Sequence, residues 1–127
     1  MGYDLRLCDP TSGATLEVEQ PHPYRGGTYA DGGTTECWLS VTYNYVAIFR
    51  RVLGDHGIEV LYGLSGGDSI PLLEQAISQL QGEPDENYWR ATDGNARRAL
   101  EDLLALARLR PGGVWAAEGM EESFPHG

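Results

Sequence analysis

Lysine is missing from this chain, and all nine cationic residues are arginine. Against them stand nineteen carboxylates, for a formal net charge of -10. An excess of that size repels bare nucleic acid and anionic membrane, so basic protein surfaces or small molecules are the expected partners. The lack of lysine itself is what a GC-rich coding sequence produces and carries no function. Long apolar runs are missing too. No window approaches the roughly 18 apolar residues of a membrane span. The stretch MGYDLRLCDP has neither the basic segment nor the apolar run of a secretory signal. The expected location is therefore cytoplasmic, with Cys8 and Cys37 as reduced thiols. The two can meet in the fold, but without metal-type spacing they read as packing residues. Histidine is scarce, and His22, His56 and His126 show no metal-site spacing and no HExxH. No catalytic residue, metal or cofactor is expected, and the chain reads as a non-enzyme.

What is present fits one domain. A length of 127 residues is enough for a sizeable core, and 17 glycines announce long loops. The longest helical pattern is Thr35–Leu53, where Trp38, Val41, Tyr45, Ile48, Phe49 and Val52 recur at steps of three and four. Tyr43 and Asn44 fall outside that stripe. Thr34 or Thr35 is the expected cap, and Arg50 and Arg51 complement the dipole before Gly54 stops the helix. Upstream, Tyr3, Leu5 and Leu7 alternate with polar neighbours, as do Leu16 and Val18. With the turn residues Asp9–Gly13 between them, they read as a β-hairpin. Ile58–Tyr62 reads as a third strand or an extended connector. A second helix runs from Ile70 to near Gly82, capped by Asp68 or Ser69, with Pro71 in its first turn. A third, capped by Thr92, carries Ala96, Ala99, Leu100, Leu103, Leu104 and Ala107 on one face. Val114–Ala117 returns as a strand beside the hairpin. The order ββαβααβ gives an α+β domain over residues 1–117, with 118–127 a disordered acidic tail.

Two glycine-containing stretches invite chemistry. Gly63-Leu64-Ser65-Gly66-Gly67 matches GxSxG letter for letter. An elbow of that kind passes straight from serine into a helix, whereas the helix signals here begin later, and only His126 follows. The same stretch offers amides at a helix start to an anion, though without a lysine and with Asp68 close by. A tight turn plus a cap is the better account. Gly94 inside the first turn of the third helix is unusual, because glycine there costs roughly 1 kcal/mol against alanine. Close packing is favoured over ligand approach.

Three strings carry a resemblance: GGTYADGGTTECWLSVTYNY, GIEVLYGLSGGDSIPLLEQAI and NYWRATDGNARRALEDLLALARLRPGGVW. They resemble a group of small proteins of tailed bacteriophages and prophages, over roughly residues 26–115. The group brings no established chemistry, so no functional residue carries over. What it implies is an accessory factor acting in the infected host, with inhibition of a defence system such as CRISPR one recurrent role.

From the residues themselves, aromatics supply affinity and charge supplies steering and specificity at protein interfaces. Tyr24, Tyr29, Tyr43, Tyr88 and Trp89 are thus the candidate partner contacts, with Glu83, Asp85 and Glu86 as a charged rim. The alternative is a small-molecule or nucleotide binder using Gly66, Gly67, Thr92 and Asn95 at two helix starts. Arg50, Arg51, Arg97 and Arg98 would then neutralise phosphates. A virion or assembly component, forming a homo-oligomer, is the third reading.

Overall fold

A computed structural model describes residues 2–22 and 34–117. The α+β class holds: three α-helices pack with two small antiparallel sheets. The larger sheet has the order β4-β1-β5, with β1 (Gly2–Cys8) central, β4 (Trp38–Thr42) on one side and β5 (Val114–Ala117) on the other. Leu5 faces Leu39 across one ladder, and Leu7 faces Trp115 across the other. All four side chains are buried. The second sheet pairs β2 (Glu17–His22) with β3 (Thr34–Glu36).

The element boundaries differ from expectation in ways that share one cause. The Asp9–Gly13 reversal is present, closed by Asp9 N–H to Ala14 O at 2.8 Å and Gly13 N–H to Asp9 O at 2.9 Å. After a single bridge between Cys8 and Thr15, however, β2 leaves β1 and pairs with β3. The place of its partner is taken by β4, which lies within the stretch expected to be helical. Thr35–Leu53 is in fact β3, β4, a 3-10 turn at Tyr43–Tyr45 and α1 (Val46–Leu53). Cys37, Leu39 and Val41 alternate as buried residues, a period of two that competes with the helical stripe. Only Tyr45, Ile48, Phe49 and Val52 keep the helical spacing. Thr34 and Thr35 therefore lie in a strand, and the capping threonine is Thr42, which accepts from Asn44 N–H.

Ile58–Tyr62 is not a strand either. Gly57–Leu61 forms a 3-10 turn, which places Ile58 and Leu61 together in the core. Gly54 and Gly57 both take positive φ, +102° and +57°, and this folds the turn back against α1. The second helix, α2 (Gly66–Ser78), starts four residues earlier than expected, capped by Ser65 rather than by Asp68 or Ser69. Pro71 is consequently its sixth residue and lies beyond the first turn. The third helix, α3 (Asp93–Leu109), is capped by Thr92 as expected, and its apolar face packs on α2.

One core links these layers. Trp115 is fully buried and donates its indole N–H to Ser69 Oγ at 2.9 Å, while Ser69 Oγ donates to Gly66 O at 2.7 Å. That relay satisfies two polar groups that would otherwise be costly to bury. Cys8 and Cys37 are both buried. Burial pushes the Cys37 thiol up to about 11, opposed by Arg110 and assisted by Cys8 and Glu17. Burial likewise pushes Tyr62 up to about 12 and raises Tyr45 well above the ordinary phenol value of 10.0.

The sign of the resulting pH dependence is fixed. Below the unfolded thiol and phenol values these groups are neutral in both states. Above them the unfolded chain ionises while the folded core resists, so stability falls as pH rises. The denaturant midpoint is expected to hold steady from neutrality to about pH 9 and then decline towards about pH 11. Cys37 should resist alkylation in the native protein at neutral pH and react after denaturation, read by mass shift.

Candidate interaction surface

Between α2 and α3 the chain runs through residues 82–92 without regular secondary structure. Its backbone polar groups still need partners, and a single side chain supplies several of them. Asn95, 5% exposed, accepts from Asp85 N–H at 2.8 Å through Oδ1. Its Nδ2 donates to Asn87 O at 3.0 Å and to Arg90 O at 2.9 Å. Within the connector, Asp85 Oδ1 accepts from Asn87 N–H at 2.8 Å, and Asn87 Oδ1 accepts from Trp89 N–H at 3.1 Å. Gly94 has to be glycine because a Cβ there would sit 2.1 Å from Glu83 O. Close packing is thus the account of that residue.

A second set of bonds pins the connector to the 3-10 turn. Asn44 Nδ2 donates to Trp89 O at 2.8 Å, the Tyr45 hydroxyl donates to Tyr88 O, and Thr42 N–H donates to Tyr88 Oη at 3.1 Å. Arg51 pairs with Asp93 at 2.7 Å. The rings continue the same line outward from the core. Phe49 meets Tyr45 at 5.9 Å, Tyr45 meets Tyr88 at 5.7 Å, and Tyr88 meets Trp89 at 4.9 Å, all edge-on. At the outer end Trp89 is 48% exposed, and Tyr43, next to Asn44, is 45% exposed. Two large aromatic side chains therefore stand in solvent on a backbone fixed from two sides.

The expected partner contacts divide accordingly. Tyr43, Tyr88 and Trp89 are brought together around Asn44. Glu83 and Glu86 are exposed at the rim, whereas Asp85 is half-buried and engaged by Asn87 N–H and by Arg90 at 3.3 Å. Tyr24 and Tyr29, like the expected tail 118–127, lie outside the described residues. Beside Tyr88 opens a cavity of about 430 Å³ whose walls include Glu86, Asn95, Arg98 and Asp102. Sequence reasoning passed over Asn44, whose role depends on a contact 45 residues away. Its only local signal was its position off the helical stripe.

The alternative ligand residues are occupied by the fold. Gly66 N–H donates to Gly113 O at 2.7 Å, and Gly67 N–H donates to Pro111 O at 2.9 Å. The next amide, that of Asp68, goes to Ser65 Oγ at 3.0 Å. A Cβ on Gly66 would meet Arg110 O at 2.7 Å, so the glycine serves this close approach. Thr92 Oγ1 accepts from Asn95 N–H at 3.1 Å. Of the arginines, Arg51 does reach the start of α3, where Asp93 pairs with it, and Arg97 lies 3.7 Å from Glu101. Ser65 does pass directly into α2, as a nucleophile elbow requires, but a 3-10 turn rather than a strand precedes it. Its hydroxyl serves as the cap. His22 is buried with Nε2 2.6 Å from Glu36 O, and His56 is exposed.

Among the described residues no group of three His, Cys, Asp or Glu side chains could hold a metal ion. Nor is any described helix long and apolar enough to cross a membrane. No family model, curated protein or solved structure matches this chain.

Two substitutions test this account of the site. Asn95→Ala strips partners from several buried backbone groups and is expected to cost about 2–3 kcal/mol by denaturant unfolding. Amide exchange should quicken first at Asp85, the connector amide that donates to Asn95 itself. Ser65→Ala should cost about 1 kcal/mol, the value of a lost cap.

Proposed function

We propose that this chain is a non-enzymatic interaction protein, an accessory factor of a phage or prophage, that binds and inhibits a host protein. A component of a defence system such as a CRISPR effector is one class of target. One observation carries the reading: Tyr43 and Trp89 are large, nearly half exposed and set on a rigid backbone. Displaying them costs the free protein apolar exposure, and covering them on binding recovers it with little ordering entropy. Tyrosine and tryptophan so placed are the side chains that dominate protein interfaces. Glu83 and Glu86 at the rim, within a chain of net charge -10, favour a basic partner surface such as a nucleic-acid groove.

Supporting the same reading over a nucleotide binder is the engagement of the first α2 amides by backbone carbonyls. A phosphate would have to displace Gly113 O and Pro111 O to reach them.

The test is affinity capture from infected or lysogenic host cells with the tagged protein and with Trp89→Ala and Tyr43→Ala variants. A stoichiometric partner is expected for the parent protein. Its affinity should fall at least tenfold in the Trp89→Ala variant, while the unfolding midpoint of the free variant stays close to the parent's. Binding should also weaken steeply with salt. A partner retained equally by both variants, or an affinity indifferent to salt, would overturn the proposal.

A further inference from the structure

Tyr43 also forms a wall of a second cavity, with a volume of about 380 Å³. Three separate elements build it. Tyr3 and Asp4 come from β1, Tyr43 from the first 3-10 turn, and Glu59 and Tyr62 from the second 3-10 turn and its end. The Tyr3 and Tyr43 rings stand perpendicular, at 89°, with centroids 4.7 Å apart. Two aromatic walls therefore meet at a right angle, and Tyr62 adds a third. Among the described residues the lining holds no cationic side chain. The charge of the exposed Arg50 is felt at Tyr3, where Glu59 opposes it.

These residues define the chemistry of an occupant. Tyrosine faces carry the negative lobe of the ring quadrupole and attract cations, most strongly where water is partly excluded. Asp4 and Glu59 add two formal negative charges, which exclude an anion and disfavour a neutral apolar guest. A bare metal ion is also a poor match, since ring faces offer no ligating lone pairs. The space is also far larger than an ion needs. All five side chains line that one space.

We propose that Tyr3, Tyr43, Tyr62, Asp4 and Glu59 form an aromatic cage for an organic cation of the methylated-ammonium class. The head group lies against the tyrosine faces, its methyl groups in van der Waals contact with the rings and its charge balanced by the two carboxylates. Such a head arrives either on a small molecule or on a methylated lysine of a protein. The cage shares Tyr43 with the interaction surface, yet isolated head groups test it without the partner.

The probes are choline, its neutral isostere 3,3-dimethylbutan-1-ol, and a short glycine-flanked trimethyllysine peptide, titrated into the full chain and followed by amide and tyrosine ring NMR shifts. Choline is expected to give saturable shifts at Tyr3, Tyr43 and Tyr62, with a Kd on the order of millimolar. The isostere, equal in shape but uncharged, should give none. Glu59→Gln and Tyr43→Leu, both at exposed positions, should each weaken choline roughly threefold to tenfold while leaving the remaining spectrum in place. Tighter binding of the peptide than of choline would identify a protein as the source of the head group, and the reverse a small molecule. Equal binding of the isostere would overturn the proposal. So would shifts indifferent to both substitutions, or no saturable shift with choline at about a hundredfold the expected Kd. Loss of host-partner capture with the cage intact, or the converse, separates failure of the proposed function from failure of the cage.

Discussion

One buried amide holds the candidate surface in place. Asn95 is close to the N-terminus of α3, where a helix has amides to spare, and its side chain turns instead to the preceding connector. Its oxygen and nitrogen substitute for the ladder or helix partners that the connector lacks. Because Gly94 beside it carries no Cβ, the backbone at Glu83 comes within packing distance of the helix. The two adjacent residues thus do complementary work, one by removing volume and the other by supplying hydrogen bonds. Without both, Trp89 would ride on a segment with no fixed path. Its exposure would then carry an entropy cost on binding that the observed arrangement avoids.

How much of this was legible in the sequence depended on how local the signal was. The third helix was fully announced, because Thr92, the 3.6-residue apolar face and Pro111 lie within the element they define. Its cap and its buried face are where periodicity places them. The α+β class followed from the same kind of reading. Trp38–Val41 was misread because two periods fit the same letters: Trp38, Val41 and Tyr45 satisfy a helix, while Cys37, Leu39 and Val41 satisfy a strand. What decides between them is the open side of β1, a residue range some thirty positions away. Ile58 and Leu61 were ambiguous for a similar reason, since a spacing of three in a five-residue run is too short to exclude a strand.

The site was legible in its aromatics and not in its framework. Tyr43, Tyr88 and Trp89 stand out in any reading as apolar bulk beyond what the helical stripes use. Asn44 and Asn95, which bring them together, are ordinary polar residues whose hydrogen bonds reach across the fold. The anion-binding reading of Gly66 and Gly67 had the right local geometry, with amides at a helix start. It lacked only the knowledge that the loop after α3 would deliver carbonyls to them. A glycine-rich helix start is therefore an offer of donors, and tertiary structure decides who accepts.

The larger sheet has a consequence for the order in which the molecule is made. Its central strand is the first described element and one of its neighbours is the last, so Leu7 and Trp115 become partners across more than a hundred residues. Leu5 and Leu7 must wait, unpaired on one side, until the chain has been made as far as Val114. Helices α2 and α3, consecutive in the chain, can associate well before that moment. Closure of the sheet is then a late event with a long loop to close, which slows folding relative to an all-helical domain of the same size. A ribosome-bound chain ending before Val114 would present the apolar edge of β1 to whatever chaperone is at hand.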